Sequence, residues 1–571
     1  MDLPTATTSC ISSNKGDCGV KILKTLIVLS PCRLWGALLI GVLAQLGGPL
    51  AAQPLPVSMP QQVQGSPVAE AARQGDRQAV QALLQQGLAV NGWDSGGTPA
   101  LHWAVHFDDQ ALVALLLAAG ADVQGANRYG QAPLHVALLQ HNPAMVRRLL
   151  EAGANAQQAD SSGELPLLSA TRLGDLDMVE ELLAHGAQVD ARNLHFGQSA
   201  LMIAVMEEHA LLVQRLLAAG ADVNAQSLPG EVQRNVLPSE VPVGTSQGVG
   251  INRSGLPHRG MRYPITGMKT PLLLATRQGN LELTKLLVEA GADIETADAN
   301  AITPLINAIL NHSIVNVNRS GQSDHLKIAQ YLIEAGANVN AQDWYGQTPL
   351  WAAVDIRNLE FTVTATSNRV DREGAYALIE SLLAAGADPN ARIKEFPPER
   401  RFIAGTGFNG WVDMTGQTPL LRASIAGDLR VLHLLLDHKA DPNITTLDGT
   451  TPLMVAAGVS WAVAETFDEG LEALLETVQL MHALGNDINA VNSIGIRAIH
   501  GAANRGSNAI ISYLVQNGAL VDVADNEGRT PIAWAEGELT GARAPTQKPE
   551  TISLLLELQA STALRQKSVV E

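Results

Sequence analysis

The chain contains little cysteine, and what it has stands near its beginning. The three cysteines are Cys10, Cys18 and Cys32 in a chain of 571 residues. A disulfide framework or a zinc site with cysteine ligands is therefore excluded for the residues after Cys32. The remainder must be held together mainly by burial of apolar side chains.

Charged and aromatic residues are also scarce. They make up 16% and 4% of the chain, whereas apolar residues reach 46%, which excludes a wholly disordered protein. The net charge of −18 argues against a nucleic-acid partner, because that function needs a basic surface. It permits a basic protein partner, although mild acidity also serves solubility alone.

Long apolar runs are absent except for one, at residues 34–52. Lys21, Lys24 and Arg33 precede it, and the small residues Ala51 and Ala52 end it, as in a secretory signal. We expect residues 1–52 to be a signal peptide, or an N-terminal extension plus a signal, of an exported protein that is periplasmic or secreted. One alternative is an uncleaved anchor facing the periplasm, since a run of this length almost spans a bilayer. Another is a cytosolic protein.

Recognisable catalytic motifs are nearly absent. Residues 244–248 match Gly-x-Ser-x-Gly, but they lie in a Gly- and Pro-rich insertion whose sequence predicts neither the strand before Ser246 nor the helix after it that a nucleophile elbow requires. No His-Glu-x-x-His, P-loop or Cys-x-x-Cys motif occurs. We therefore expect neither an enzyme nor a cofactor, a metal or a small-molecule substrate.

A sequence motif does recur along the chain: two leucines followed, after two or three further residues, by Gly-Ala. Its early steps are 33 residues, and wider intervals later in the chain mark repeats that carry inserts. A fixed period of this size indicates a solenoid, which usually binds rather than catalyses. The glycines of this motif and of its variants are Gly87, Gly120, Gly153, Gly186, Gly220, Gly291, Gly336, Gly386, Gly485 and Gly518.

Each unit has a second anchor, Thr-Pro-Leu or a variant of it, such as residues 270–272. The threonine hydroxyl can cap a helix, and proline fits the first helical turn. A short alanine-rich helix follows, and then a second helix with apolar residues at helical spacing, such as Leu112 and Leu116. The glycine of Gly-Ala then ends the second helix in a left-handed conformation.

The period, Thr-Pro-Leu-His and Gly-Ala-Asp together closely resemble the ankyrin repeat, over roughly residues 66–560. The resemblance, which extends to exported bacterial ankyrin-repeat proteins, implies an all-α solenoid of about eleven to twelve helix-turn-helix units with β-hairpin-like fingers. It implies a protein–protein interaction scaffold. The rival is an enzyme whose site is built by the inserts, but no separate catalytic domain of normal size is present.

The repeat spacing also divides the chain. Further inserts are expected near 312–324, 356–374, 392–415 and 459–470, and inserts of this length are either functional or disordered. The predicted parts are a linker at 53–65, N-terminal repeats at 66–225, a loop insertion at 226–267, C-terminal repeats at 268–560 and a polar tail at 561–571.

Histidine recurs at the Thr-Pro-Leu-His position, in His102, His135 and His500. A recurrent histidine invites a metal or catalytic role. The resemblance instead implies hydrogen bonds to the backbone that tie neighbouring repeats. Other repeats hold residues such as Leu168 and Met202 there, which an array of metal sites would not tolerate.

The resemblance also implies where a partner binds. In ankyrin proteins the finger tips and the ends of the inner helices line the concave surface and make most partner contacts. Aromatic residues and arginine are favoured at binding hot spots. The alternative is that each aromatic packs on the next finger, and we expect Trp103 and Trp534 in the core. The predicted binding residues are Trp93, Arg128, Tyr129, Phe196, Trp344 and Tyr345 at the tips, and His106 and Phe107 at an inner-helix end.

Overall fold

The computed structural model describes residues 65–230, 267–312, 324–358, 371–395, 412–460, 468–537 and 547–570. These residues form 24 α-helices, which pair into twelve helix-turn-helix units, here called repeats 1 to 12. The described residues contain no regular strand, and isolated bridges such as Trp93 with Pro99 occur at the fingers. The expected all-α repeat fold is confirmed.

Each repeat consists of an inner helix followed by an outer helix. Repeats 1 to 6 comprise α1 (Pro67–Arg73), α2 (Arg77–Gln85), α3 (Ala100–His106), α4 (Gln110–Ala118), α5 (Pro133–Leu139), α6 (Pro143–Glu151), α7 (Pro166–Leu173), α8 (Leu176–Ala184), α9 (Ala200–Met206), α10 (Ala210–Ala218), α11 (Pro271–Gln278) and α12 (Leu281–Glu289). Repeats 7 to 12 comprise α13 (Pro304–His312), α14 (His325–Glu334), α15 (Pro349–Arg357), α16 (Arg372–Ala384), α17 (Pro419–Ala426), α18 (Leu429–Asp437), α19 (Pro452–Ala456), α20 (Leu471–Ala483), α21 (Ala498–Arg505), α22 (Asn508–Gln516), α23 (Pro531–Ala535) and α24 (Pro549–Val570).

The helix ends follow the sequence signals. At α11 the hydroxyl of Thr270 accepts a hydrogen bond from the Leu273 amide at 3.1 Å, and proline occupies the first turn. Most outer helices follow an Asp or Asn, as where Asp109 accepts the Leu112 amide at 2.9 Å, whereas α10, α20 and α22 follow His209, Gly470 and Ser507. The Gly-Ala glycines have positive φ, and Lys439, which replaces one of them, also adopts a φ of 70°.

The core lies between the inner and outer helices and continues from repeat to repeat. Small residues on the inner helices, such as Ala104 and Ala137, are fully buried and allow close packing. The buried apolar side chains form two clusters, one in repeats 1 to 6 and one in repeats 7 to 12. A polar contact marks the boundary, where Asn307 donates to the Leu273 carbonyl at 2.7 Å and to the Thr276 hydroxyl at 2.9 Å.

The predicted inserts lie between helices, except that the predicted bounds 312–324 and 356–374 overlap the ends of α13, α15 and α16. Most of the 226–267 insertion lies outside the described residues, but its two ends meet in a bridge between Pro229 and Gly267. The predicted signal, most of the linker and residues 244–248 also lie outside them. Helix α24 continues through most of the predicted polar tail. In the part of the chain that the structure describes, no helix is both long and apolar enough to cross a membrane.

Candidate functional site

Buried or half-buried Asp and Asn side chains hold the fingers. Asp94 Oδ1 accepts the amides of Gly96 at 2.9 Å and Thr98 at 2.8 Å. Asn127 Oδ1 accepts the amides of Tyr129 and Gln131 in the same way, at 2.9 and 3.1 Å. These bonds fix the backbone of the tip relative to the helix that follows. Further fingers use Asp160, Asn193, Asp298, Asp343, Asn492 and Asp525 for this purpose.

Main-chain hydrogen bonds join one finger to the next. The Arg128 amide donates to the Gly97 carbonyl at 2.9 Å, and the Trp344 amide donates to Asn300 at 2.9 Å. The Leu228 amide likewise donates to Phe196 at 2.8 Å. Because the backbone polar groups are used between fingers, the tip side chains carry the chemistry of this surface.

Most of the predicted tip residues are accessible. Tyr129 is 55%, Phe196 64% and Trp344 50% exposed, and Trp93 is half-buried. Arg128 is exposed and lies over the Tyr129 ring, with its guanidinium carbon 4.6 Å from the ring centre. The structure therefore places these five side chains where a partner could reach them.

Tyr345 differs from the other tip residues, because its side chain is only 6% exposed. It precedes the finger glycine, as Tyr129 and Phe196 do. However, the next finger runs against it, and the amides of Lys394 and Glu395 donate to its carbonyl at 2.7 and 3.2 Å. Its predicted place on an accessible surface is thereby corrected, and Tyr345 packs between fingers.

The two predicted inner-helix residues belong to a group of three rings. Phe107 stacks on Trp103, with centroids 6.0 Å apart and planes at 23°. His106 meets the edges of both rings, at 5.7 and 5.2 Å. Gln140 in the next repeat donates to the His106 carbonyl at 2.6 Å and lies 3.1 Å from His106 Nδ1. We call Trp103, His106 and Phe107 the aromatic cluster.

Trp103 connects this cluster to a finger. It is half-buried rather than fully in the core, whereas Trp534 is completely buried as expected. The Trp103 indole donates from Nε1 to Asp94 Oδ2 at 3.0 Å. Since Asp94 also fixes its own finger, the ring position depends on both elements.

Several exposed apolar side chains beside these positions were not predicted. Leu139 stands 33 residues after His106, at the equivalent place in the next inner helix, and is 60% exposed. Leu194 and Leu228 lie on neighbouring fingers and are 62% and 49% exposed. The repeat register alone could have found Leu139, because it predicts which residues share one face.

The recurrent histidines are structural. A ring nitrogen of His102 lies 2.7 Å from the Gln131 carbonyl in the next finger, and His135 and His500 accept the amides of Ala132 and Arg497. Burial lowers the pKa of His102 and of His500 to about 4, so both are neutral at pH 7. Among the described residues, no group of three or more His, Cys, Asp or Glu could hold a metal ion.

Buried ion pairs join repeats 8 and 9 near the end of α15, where repeat 2 has the aromatic cluster. Arg422 donates from Nε to Asp355 Oδ1 at 2.6 Å, and Arg357 donates to Asp428 at 2.8 Å. All four side chains are buried. A buried pair of this kind is weak evidence for a binding role, since each charge already has its partner. The accessible aromatic surface therefore lies elsewhere, in the N-terminal repeats and at single tips such as Trp344.

Comparison with known proteins agrees with this architecture. Family models described as ankyrin repeats match residues 53–127, 134–227, 269–299, 302–344, 420–458 and 461–562. Neurogenic locus notch homolog protein 1 of Mus musculus is 30% identical over 182 residues, which is 29% of this chain and 7% of the relative. The human protein is 29% identical over 185 residues, 30% of this chain and again 7% of the relative. The chain thus matches only a small part of these relatives.

Among solved structures, the ankyrin repeat domain of Bcl-3, described as a unique member of the IkappaB protein family, is similar at 26% identity. The match covers 43% of this chain and 95% of that one, with a TM-score of 0.34. The family models account for helix pairs along most of the array. The chain belongs to the ankyrin-repeat family, and its repeats form a protein–protein interaction module.

Proposed function

We propose that the array binds its protein partner through the finger tips and inner-helix ends, and that the aromatic cluster is the centre of the contact. The observation that carries this proposal is the exposed stack at the end of α3. Phe107 is 49% exposed and Leu139, in the next repeat, is 60% exposed. In a chain with 4% aromatic residues, three adjacent rings at one accessible helix end are a concentrated apolar surface.

Rings of this kind suit a binding surface because they are already held in place. The Trp103 indole is bonded to Asp94, and Gln140 Nε2 lies 3.1 Å from the ring nitrogen Nδ1 of His106, so little side-chain freedom is lost when a partner covers these rings. Rigid aromatic residues at the centre of an interface dominate affinity in many complexes. The tip residues Tyr129 and Trp344 then extend the contact surface along the row of fingers.

The chemistry of this surface favours binding over catalysis. The imidazole of its histidine, His106, contacts Gln140 through Nδ1 and has no carboxylate partner among the described residues. The histidines with lowered pKa values, such as His102, are buried and bonded to the backbone. The proposal therefore assigns no substrate and no reaction to the array.

Replacement of Phe107 by alanine tests the proposal. The partner is first captured from the native cell envelope with residues 53–571 and identified by mass spectrometry, and its affinity is then measured by calorimetry. Phe107→Ala should weaken binding by about 2 kcal/mol or more, the usual threshold of a hot spot, with the melting temperature nearly unchanged. Leu211→Ala is the matched control, since Leu211 is 68% exposed on the outer helix α10.

The control distinguishes binding at the aromatic cluster from nonspecific binding to exposed apolar side chains. Equal loss of affinity in the Phe107 and Leu211 variants would contradict the proposal. Unfolding of Phe107→Ala, seen as a fall in melting temperature, would show instead that this ring is a packing residue. Trp344→Ala, examined in the same way, tells whether the contact reaches repeat 8.

We also infer that the protein is exported, as a periplasmic or secreted protein of the bacterial type. The support is the apolar run at 34–52 behind Lys21, Lys24 and Arg33, and a chain without cysteine after Cys32. The mature protein should begin near Gln53 by N-terminal sequencing. Intact residue 1 in soluble cytosol would contradict export, and intact residue 1 in membranes would favour an anchor facing the periplasm.

A further inference from the structure

Around the aromatic cluster, the carboxylates have hydrogen-bond donors within the protein, whereas one arginine has no carboxylate partner among the described residues. Glu70 accepts the Ser95 amide at 2.9 Å and Arg73 Nε at 2.8 Å. Hydrogen bonds from the side chain and the amide of Ser95 and from Arg73 lower the pKa of Glu70 to about 2. Asp94 accepts the finger amides and the Trp103 indole, and Asp108 accepts from Gln110 and Asn142.

Two arginines of this region are also paired. Arg73 lies 2.7 Å from Glu70, and Arg172 lies 3.3 Å from Glu164. Arg128 differs from both, because among the described residues no carboxylate comes within ion-pair distance of it. Its guanidinium rests on the Tyr129 ring and contacts the Tyr129 hydroxyl. It is therefore an exposed, oriented cation with an aromatic support and an unused capacity for an anion.

Arg128 is continuous with the aromatic cluster. Trp103 is bonded to Asp94 at the base of the preceding finger, and Asp94 accepts the amide of Gly97 through its carbonyl at 3.0 Å. The Gly97 carbonyl accepts the Arg128 amide at 2.9 Å. Three consecutive hydrogen bonds thus connect the ring of Trp103 with the backbone of Arg128. Arg128 therefore stands on the finger that follows the one bonded to Trp103.

We propose that the partner segment bound in repeats 2 and 3 combines an aliphatic or aromatic anchor, which covers Trp103 and Phe107, with a carboxylate that pairs with Arg128. This inference rests on the proposed function and adds the chemical class of the ligand. The net charge of −18 alone would suggest a basic ligand. The local arrangement favours an acidic one, since a planar guanidinium held in position pairs with a carboxylate through two hydrogen bonds. Charge complementarity of this kind selects the partner.

A random twelve-residue peptide library displayed on phage tests the inference on residues 53–571. Selected peptides that Phe107→Ala no longer binds should carry Asp or Glu near a large apolar residue. Arg128→Gln should weaken these peptides about tenfold or more and should remove most of the dependence of their affinity on sodium chloride, because the screened ion pair is gone. Arg215→Gln is the matched control, a partly exposed arginine of outer helix α10 paired with Glu180 at 3.1 Å. It makes the same change in net charge and should leave affinity unchanged.

The outcomes separate the two proposals. Peptides that lose binding in Phe107→Ala but show no acidic residue, or are unaffected by Arg128→Gln, overturn the carboxylate and leave the aromatic contact. Peptides that bind Phe107→Ala normally overturn the aromatic contact itself. An enrichment of Lys and Arg, equal loss in the Arg215 variant, or no peptide enriched above background also contradicts the acidic ligand.

Discussion

The indole of Trp103 and the carboxylate of Asp94, nine residues apart, form a 3.0 Å hydrogen bond that ties an inner helix to the finger before it. The same bond, also 3.0 Å, joins Trp534 to Asp525 near the other end of the array. Both tryptophans follow directly after the position where the ankyrin pattern has histidine. In these repeats one aspartate therefore fixes both the finger and the ring that packs behind it.

Replacing Asp94 with alanine removes the acceptor of the Gly96 and Thr98 amides and of the Trp103 indole. The free energy of unfolding should fall by about 1–3 kcal/mol, because these donors lose their partner in a partly buried place. Urea denaturation followed by circular dichroism measures the change. Trp103→Phe, which deletes the indole bond alone, should cost less. An unchanged midpoint for Asp94→Ala would mean that water replaces the carboxylate.

A second repeated contact holds one repeat to the next. Asn340 donates from Nδ2 to the Gly386 carbonyl at 3.0 Å, and its Oδ1 accepts the Asp388 amide at 2.8 Å. Asn340→Ala should cost about 1–3 kcal/mol, the sum of two ordinary hydrogen bonds. The matched control is Asn517→Ala, since Asn517 donates to the Tyr513 carbonyl within its own repeat. Equal effects of the two substitutions on the urea midpoint would contradict a special role between repeats. The same pair of bonds is made by Asn91, Asn224, Asn390 and Asn489.

The repeat register explains what could be predicted from sequence. Residues at the same position in successive repeats lie on the same face. This rule correctly predicts that Tyr129 and Phe196 are exposed and that Trp534 is buried. It fails where an insert breaks the register. Tyr345 occupies the same finger position as Tyr129, but the longer finger that follows lies against it.

The pairing of Arg422 with Asp355 was also beyond sequence reasoning. The two residues are 67 positions apart, across two interruptions of the repeat period, so their contact appears only once the repeats are stacked. Trp103 was assigned to the core by its position alone. Its ring is nevertheless half-buried, and the bond to Asp94 does not decide this, because Trp534 makes the same bond to Asp525 and is fully buried.

Stability of the array should depend on the core face of each outer helix. Leu116, in α4, is fully buried, and Leu116→Ala should lower the free energy of unfolding by about 2–5 kcal/mol through lost burial and a residual cavity. Leu211→Ala, on the exposed face of α10, should change it by less than about 0.5 kcal/mol. Chemical denaturation of both variants checks this contrast. A comparable loss for Leu211 would indicate that its face is covered in solution.

The buried histidines make stability depend on pH. Burial lowers the pKa of His102 and His500 from about 6.5 to about 4, and lowers that of His135 and His325 as well. The unfolded chain therefore takes up protons at a higher pH than the folded chain does. Stability should be complete above about pH 6.5 and should fall as the pH drops toward 4, because protons favour the unfolded state. Each of His102 and His500 accounts for up to about 3 kcal/mol of this loss at the acid end, given 1.36 kcal/mol for each pKa unit.

Carboxylates can be separated from this effect by the choice of pH. The pKa of Glu70 is lowered to about 2 in the folded protein. Its contribution to the free energy of unfolding is therefore lost only below about pH 4.5, where the carboxylate of the unfolded chain becomes protonated. Burial raises the pKa of Asp448, which opposes the histidine effect as that group takes up its proton. Urea midpoints between about pH 7.5 and 5 therefore report mainly on histidines. In the double variant His102→Leu, His500→Leu, each histidine is replaced by leucine, which other repeats carry at this position as Leu168 and Leu421. The urea midpoint of this variant should depend less on pH in this range. A slope equal to that of the natural protein would show that these two imidazoles take up protons in the folded state as readily as in the unfolded chain.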